Sequence, residues 1–106
     1  MHFITAQEVK KKLDTQDITL IDIREPYERE ICHIKNSIHA PMGDIENLKQ
    51  SVNNSICEIV FICKSGKRAE ATANLIEKEL NINNIYILEG GIISWIETID
   101  QTLEIY

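Results

Sequence analysis

At 106 residues the chain is sized for one domain, expected to run over residues 1–106, with length enough to bury a core. Its 43% hydrophobic and 26% charged composition is that of an ordinary globular protein. No stretch reaches the roughly 18 apolar residues of a membrane span, so no membrane partner is expected. A formal net charge of −6 argues against a nucleic-acid partner, because phosphate binders normally carry a basic face.

Met1 to Leu13 lacks the apolar run of a secretory signal, which makes the cytoplasm the expected compartment. Phe3-Ile4 reads as a short strand. Thr5-Ala6-Gln7-Glu8 has capping-box form and predicts a helix to about Leu13. The β-branched run Ile18 to Ile23 predicts a buried strand, ended by Arg24-Glu25-Pro26. Pro26 suits the first turn of a short helix through Ile31. Ser37 to Ala40, stopped by Pro41, predicts a further short strand, and Asp44 to Gln50 another short helix.

Ile59-Val60-Phe61-Ile62 is the second strongly apolar run. From Lys67 to Leu80, Ala69, Ala73, Leu75, Ile76 and Leu80 recur near helical spacing. Ile85 to Leu88 predicts a third apolar strand, and Gly90-Gly91 turns it into a last helix carrying Ile92, Ile93, Trp95, Ile96 and Ile99. Fully apolar strands alternating with helices predict an α/β fold, a central mostly parallel sheet flanked by helices on both faces.

The three cysteines, Cys32, Cys57 and Cys63, are an odd number in a chain with no export signal, which argues against a disulfide framework and for a reactive thiol. No zinc-like spacing of Cys and His is present, so neither a metal nor another cofactor is expected. Cys63 directly follows an apolar strand and precedes a long helix through Lys64-Ser65-Gly66-Lys67-Arg68. Loops at the carboxyl ends of strands are where open α/β sheets bind ligands. Gly66 lets this one curl until its N–H groups converge, and the helix N-terminus adds donors and partial positive charge. Turning a free thiol into a mostly ionised one at neutral pH takes about 2.7 kcal/mol. A helix terminus contributes about 0.3–1 kcal/mol. Converging N–H donors, with Lys64, Lys67 and Arg68, have to supply the rest, and the cations would also draw in an anionic substrate. Cys57 lacks any such neighbourhood and reads as structural or surface. Cys32 and His33 are less defined, and Cys32 stays open as a resolving thiol.

The segment Cys63 to Ala69 closely resembles the active-site loop of the rhodanese-like sulfurtransferases. Two more stretches resemble that family: Asp22-Ile23-Arg24-Glu25-Pro26-Tyr27-Glu28 continuing to His33-Ile34, and Leu88-Glu89-Gly90-Gly91-Ile92 with Trp95. They occur in the family's order and cover nearly the whole chain. The resemblance implies a single-domain thiosulfate sulfurtransferase without a cofactor. Cys63 would be its nucleophile and persulfide carrier. Lys64, Ser65, Gly66, Lys67 and Arg68 would surround the substrate, with Asp22 and Arg24 as a supporting ion pair behind the site. It further implies a small anionic sulfur donor and a thiol or cyanide acceptor, including a protein thiol in a sulfur relay. Two departures stand out: Lys35-Asn36-Ser37 where the family often has proline, glycine and alanine, and Cys32 where glycine is common.

Two rivals remain. Cysteine phosphatases that share the rhodanese fold place five residues between Cys and Arg, so that the loop encloses a phosphoryl group. Here only Lys64, Ser65, Gly66 and Lys67 intervene. The other rival is a binding module kept for regulation, but inactive versions usually lose the cysteine.

Overall fold

A computed structural model describes residues 2–15, 18–55 and 57–104. Among these, strands and helices alternate in the order β1 (His2–Ile4), α1 (Ala6–Thr15), β2 (Ile18–Asp22), α2 (Pro26–Ile31), β3 (Ile38–His39), α3 (Ile45–Asn53), β4 (Glu58–Ile62), α4 (Lys67–Leu80), β5 (Ile85–Leu88) and α5 (Gly91–Thr98). The strands form one sheet in the order β1-β5-β4-β2-β3, and every pairing is parallel. The expected mostly parallel sheet is thus wholly parallel among the described residues. None of their helices is long and apolar enough to cross a membrane.

Alternation along the strands divides the core in two. Leu20, Val60, Ile62 and Leu88 pack with α1 and α5 through Val9, Ile92, Trp95 and Ile96. Ile21, Phe61 and Ile87, one register step away, pack with α3 and α4 through Leu48, Val52, Ala73 and Ile76. Both faces are covered, which is why the central strands carry almost no polar residue. The predicted capping box forms, with Thr5 N–H donating to Glu8 Oε1 at 3.0 Å and Glu8 N–H to Thr5 Oγ1 at 3.2 Å.

The central pair β2–β4 runs in register from Ile18↔Glu58 to Asp22↔Ile62. Beyond it the Ile23 N–H still donates to the Ile62 carbonyl at 3.0 Å. Asp22 and Cys63 therefore emerge side by side at the carboxyl edge of the sheet.

Phe61 sits in the middle of this arrangement with no exposed surface. Phe61→Ala should destabilise the protein by about 3–5 kcal/mol, through lost burial and the cavity left behind. Leu75→Ala, at a side chain 47% exposed, should stay within about 0.5 kcal/mol. Urea unfolding of the two variants measures the contrast.

Candidate active site

Cys63 leaves β4 with its side chain buried, and its loop is shaped by the turn after β5. The Cys63 carbonyl accepts the Ile92 N–H at 2.8 Å, and the Lys64 carbonyl accepts the Ile93 N–H at 3.3 Å. These donors belong to the first turn of α5, where N–H groups have no intrahelical acceptor. With its start held, the chain curls back over the thiol. Gly66 N–H donates to Cys63 Sγ at 3.0 Å, and Ala69 N–H at 3.4 Å. The predicted convergence of loop and helix donors on one sulfur is present.

Two glycines permit it for different reasons. Gly66 caps α4 at φ +104°, a conformation L side chains avoid, although a Cβ would find only ordinary contacts at 3.7 Å or more. Gly91 combines φ +62° with no room at all: a Cβ would overlap the Lys64 carbonyl and lie 2.6 Å from the Cys63 oxygen. It does more than turn strand into helix, because its bare backbone is a wall of the loop.

The three loop cations are not equivalent. Lys64, Ser65 and Lys67 are exposed, whereas Arg68 is partly buried. The Arg68 guanidinium forms a two-pronged ion pair with Glu28, Nη1 to Oε1 at 2.7 Å and Nη2 to Oε2 at 2.8 Å. Glu28 is only 3% exposed. It is the third residue of α2, where its Oε1 also accepts the Glu25 N–H at 3.0 Å. The hydrogen bonds from Arg68 hold the Glu28 carboxyl below its usual range, against the opposing effect of burial. The same pairing raises Arg68, against its own burial, with a smaller contribution from the charge of Cys63. Glu28 is absent from the residues the sequence nominated for the site.

Behind the loop lies the ion pair expected of Asp22 and Arg24, more deeply buried than a surface bridge. Arg24 has no exposed surface and Asp22 is 1% exposed. Asp22 Oδ1 accepts the backbone N–H and Nε of Arg24 at 3.1 and 3.0 Å, and Oδ2 accepts Nη2 at 2.9 Å. Arg24 also donates to the Cys32 carbonyl. Burial works to lower the Arg24 pKa, and the bonds and charge of Asp22 outweigh it and leave it raised. Arg29 completes the cluster, reaching Asp22 Oδ2 at 3.4 Å, Ser37 Oγ at 2.9 Å and the Ser37 carbonyl at 2.8 Å.

The remaining candidates lie apart from the Cys63 loop. Cys32 packs in the α1/α5 core and Cys63 in the α3/α4 core, so the sheet lies between the two thiols. Cys32 Sγ accepts from Arg24 Nη1 at 3.8 Å, which gives it a packing role and no access to a persulfide on Cys63. Cys57 is half-buried at the other end of β4. His33 and His39 line a cavity of about 340 Å³ with Pro26, Arg29 and Glu30. His33 Nδ1 lies 3.2 Å from the Arg29 carbonyl, and His39 Nε2 lies 2.9 Å from that of Arg24. Among the described residues no cluster of three or more His, Cys, Asp or Glu is arranged to hold a metal ion.

Gly91→Ala should cost about 2–4 kcal/mol in urea unfolding, through combined φ strain and overlap. Gly43→Ala, where a Cβ would meet nothing within 4 Å, is the control and should be near neutral. A second expectation follows from Glu28. Its folded pKa is depressed, so its stabilisation is complete above the unfolded value of about 4.3 and is lost as pH falls through the folded one. Melting temperature should therefore drop on acidification below that value, and Glu28→Gln should flatten part of the drop.

Comparison with known proteins agrees with this geometry. The family model for the rhodanese-like domain matches residues 5–98. Adenylyltransferase and sulfurtransferase MOCS3 from Drosophila persimilis is 28% identical over 109 residues, covering 97% of this chain and 24% of the relative. The tRNA uridine(34) hydroxylase of Yersinia pestis is 32% identical over 100 residues, covering 89% of this chain and 28% of the relative. The chain thus spans about a quarter of the length of these curated relatives. A rhodanese-related protein from Thermoplasma volcanium superposes with a TM-score of 0.77 at 31% identity, covering 92% of each chain. With its thiol loop, its wholly parallel sheet and a family match over most of its length, the chain belongs to the rhodanese-like domain family.

Proposed function

We propose that this chain is a sulfurtransferase that moves a sulfane sulfur from a donor such as thiosulfate to a thiophilic acceptor, as a persulfide on Cys63. The observation that carries the reading is the pair of backbone N–H groups, of Gly66 and Ala69, aimed at Cys63 Sγ. Such donors stabilise a sulfur anion without being able to take its proton. They serve the thiolate that attacks and the persulfide anion that follows.

In the loading step the Cys63 thiolate attacks the outer sulfur of thiosulfate. A new S–S bond forms, the old one breaks, and sulfite leaves with its electron pair. Charge balances, because thiolate and dianion become persulfide anion and dianion. An acceptor nucleophile then attacks the outer sulfur of the persulfide and regenerates the thiolate. This is covalent catalysis by double displacement, and neither half needs a general base once the thiol is ionised. Exposed Lys64 and Lys67 supply positive potential at the loop.

Phosphate hydrolysis fits less well. Four residues separate Cys63 from Arg68, one fewer than a phosphate-enclosing loop uses. A protein sulfur relay is the second reading. It is favoured by relatives that carry the matching region as a fraction of a larger sulfurtransferase. Tyr27, 55% exposed, and Met42, 38% exposed, offer apolar surface near α4 for a protein partner. The cytoplasm is the proposed compartment, in keeping with an odd number of cysteines, which argues against a disulfide framework.

Intact-mass spectrometry after thiosulfate exposure tests the reaction. The protein should gain one sulfur and lose it on adding cyanide or a thiol. Cys63→Ser should abolish the gain. Cys57→Ser, at the far end of β4, should leave it within about twofold. Equal losses in the two variants would remove the assignment of Cys63.

A further inference from the structure

Across the sheet from Cys63, a second cavity of about 230 Å³ lies between α1, α5 and the turn that follows α2. Its apolar walls are Leu13, Ile34 and the Trp95 ring, all packed in the α1/α5 core, whereas Cys63 belongs to the α3/α4 core. Trp95 is 6% exposed, yet its indole Nε1–H donates to no group among the described residues. A buried indole N–H ordinarily finds an acceptor. No fully covered side-chain nitrogen or oxygen among those residues lacks a partner, so this N–H opens onto the cavity that Trp95 lines.

The charges around the cavity are unequally committed. Lys10 and Asp14 pair with each other at 3.6 Å across one helical turn. Asp100 accepts the Thr102 N–H at 3.1 Å and the Thr102 hydroxyl as well. The Lys35 ammonium forms no ion pair or hydrogen bond among the described residues. The neighbouring Asn36 amide can act as donor or acceptor. The charge left to meet a ligand is therefore positive, and the indole beside it can only donate. Lys35 lies in the segment where the sequence departs from the family pattern, so the resemblance does not account for its charge.

Uncommitted donors call for an acceptor, and apolar walls call for an apolar body. An apolar cavity of about 150 Å³ is enough for benzene. The 230 Å³ here leaves room for a carboxylate besides. A dianion fits worse, because Asp14 and Asp100 keep negative charge at the rim. We propose that this cavity binds a small organic monocarboxylate, its ring-sized apolar body on Leu13, Ile34 and Trp95 and its carboxylate toward the Trp95 Nε1–H and Lys35. The site is separate from the thiol loop and does not depend on the sulfur-transfer reading.

Trp95 is the single tryptophan of the chain and so reports on its own site. The test is a titration of the full chain with benzoate at constant ionic strength, read by tryptophan emission and by calorimetry. The emission change should saturate with a dissociation constant on the order of 1 mM, as expected of so small a ligand. Benzyl alcohol has a similar shape without the charge and should bind about fivefold more weakly. Lys35→Gln, at an exposed position, should keep the fold, weaken benzoate about fivefold and leave benzyl alcohol unchanged. Trp95→Phe keeps an aromatic wall and removes the N–H. Read by calorimetry, the folded variant should lose benzoate affinity by a similar factor. A preference for benzoate over the alcohol that disappears in Lys35→Gln supports the proposal. Absence of saturable binding, equal binding of acid and alcohol, or full benzoate affinity in Lys35→Gln or in folded Trp95→Phe would overturn it and leave the cavity to water.

Discussion

The site depends above all on how closely the backbone of α5 approaches the loop after β4. Parallel neighbouring strands end at the same edge of a sheet, so the segments leaving β4 and β5 must share space there. Gly91, without a side chain, lets the first turn of α5 lie directly on the Cys63 and Lys64 peptides. The otherwise unsatisfied N–H groups of that turn are used on the loop carbonyls. The start of the loop is thereby fixed, and its later N–H groups are free to be aimed at sulfur. A side chain at Gly91 would separate the two segments and release that aim. Two helix N-termini thus act on one cysteine from different directions: α4 on the sulfur, α5 on the backbone that carries it.

Electrostatics in the loop is more economical than its basic composition implies. Three cations follow Cys63 within five residues, yet one of them is neutralised by a carboxylate forty positions earlier. What reaches the sulfur at hydrogen-bond range is backbone, not side-chain charge. Backbone donors cost little to keep oriented and do not swing away, so they hold a single anionic atom well. A phosphoryl group has three outer oxygens and needs a wider ring of donors. The short loop, with four residues between Cys63 and Arg68, is narrower than that.

Much of this was legible in the sequence, for identifiable reasons. The bounds of α2, α4 and β5 follow from Pro26, from Gly66 before Lys67, and from the apolar run Ile85 to Leu88. Cys63 stood out because a strand, a glycine and cations surround it. Tertiary packing decided what was missed. α3 runs on to Asn53, past the expected end at Gln50, because Val52 finds a buried place against the α4 face. β3 shrinks from the expected Ser37–Ala40 to two residues, since Ser37 turns its hydroxyl to Ile34 and receives Arg29. Glu28, seen in the sequence only as part of a family-like stretch, is given no role at the site there, because an acidic residue in a short polar helix looks like solvated surface. Its partner lies forty residues on, a distance no local pattern spans.

The two departures from the family pattern have separate physical resolutions. Asn36, where glycine is common, adopts φ +70°, and asparagine tolerates the left-handed region better than most side chains do. Cys32, at another glycine position, has extended backbone at φ −160° and needs no glycine there. Its side chain fills core space beside Arg24 instead. Arg29 then ties α2 to the altered segment through Ser37 and to Asp22. A buried guanidinium such as Arg24 is expensive in itself and is tolerated only when its partners are fixed. Here the partners are Asp22, at the end of β2, and the Cys32 carbonyl, at the end of α2. The ion pair therefore fastens the carboxyl end of β2 to the helix that carries Glu28. Through Glu28 it reaches Arg68 and the loop, so the substituted segment stays coupled to the thiol by fixed polar contacts.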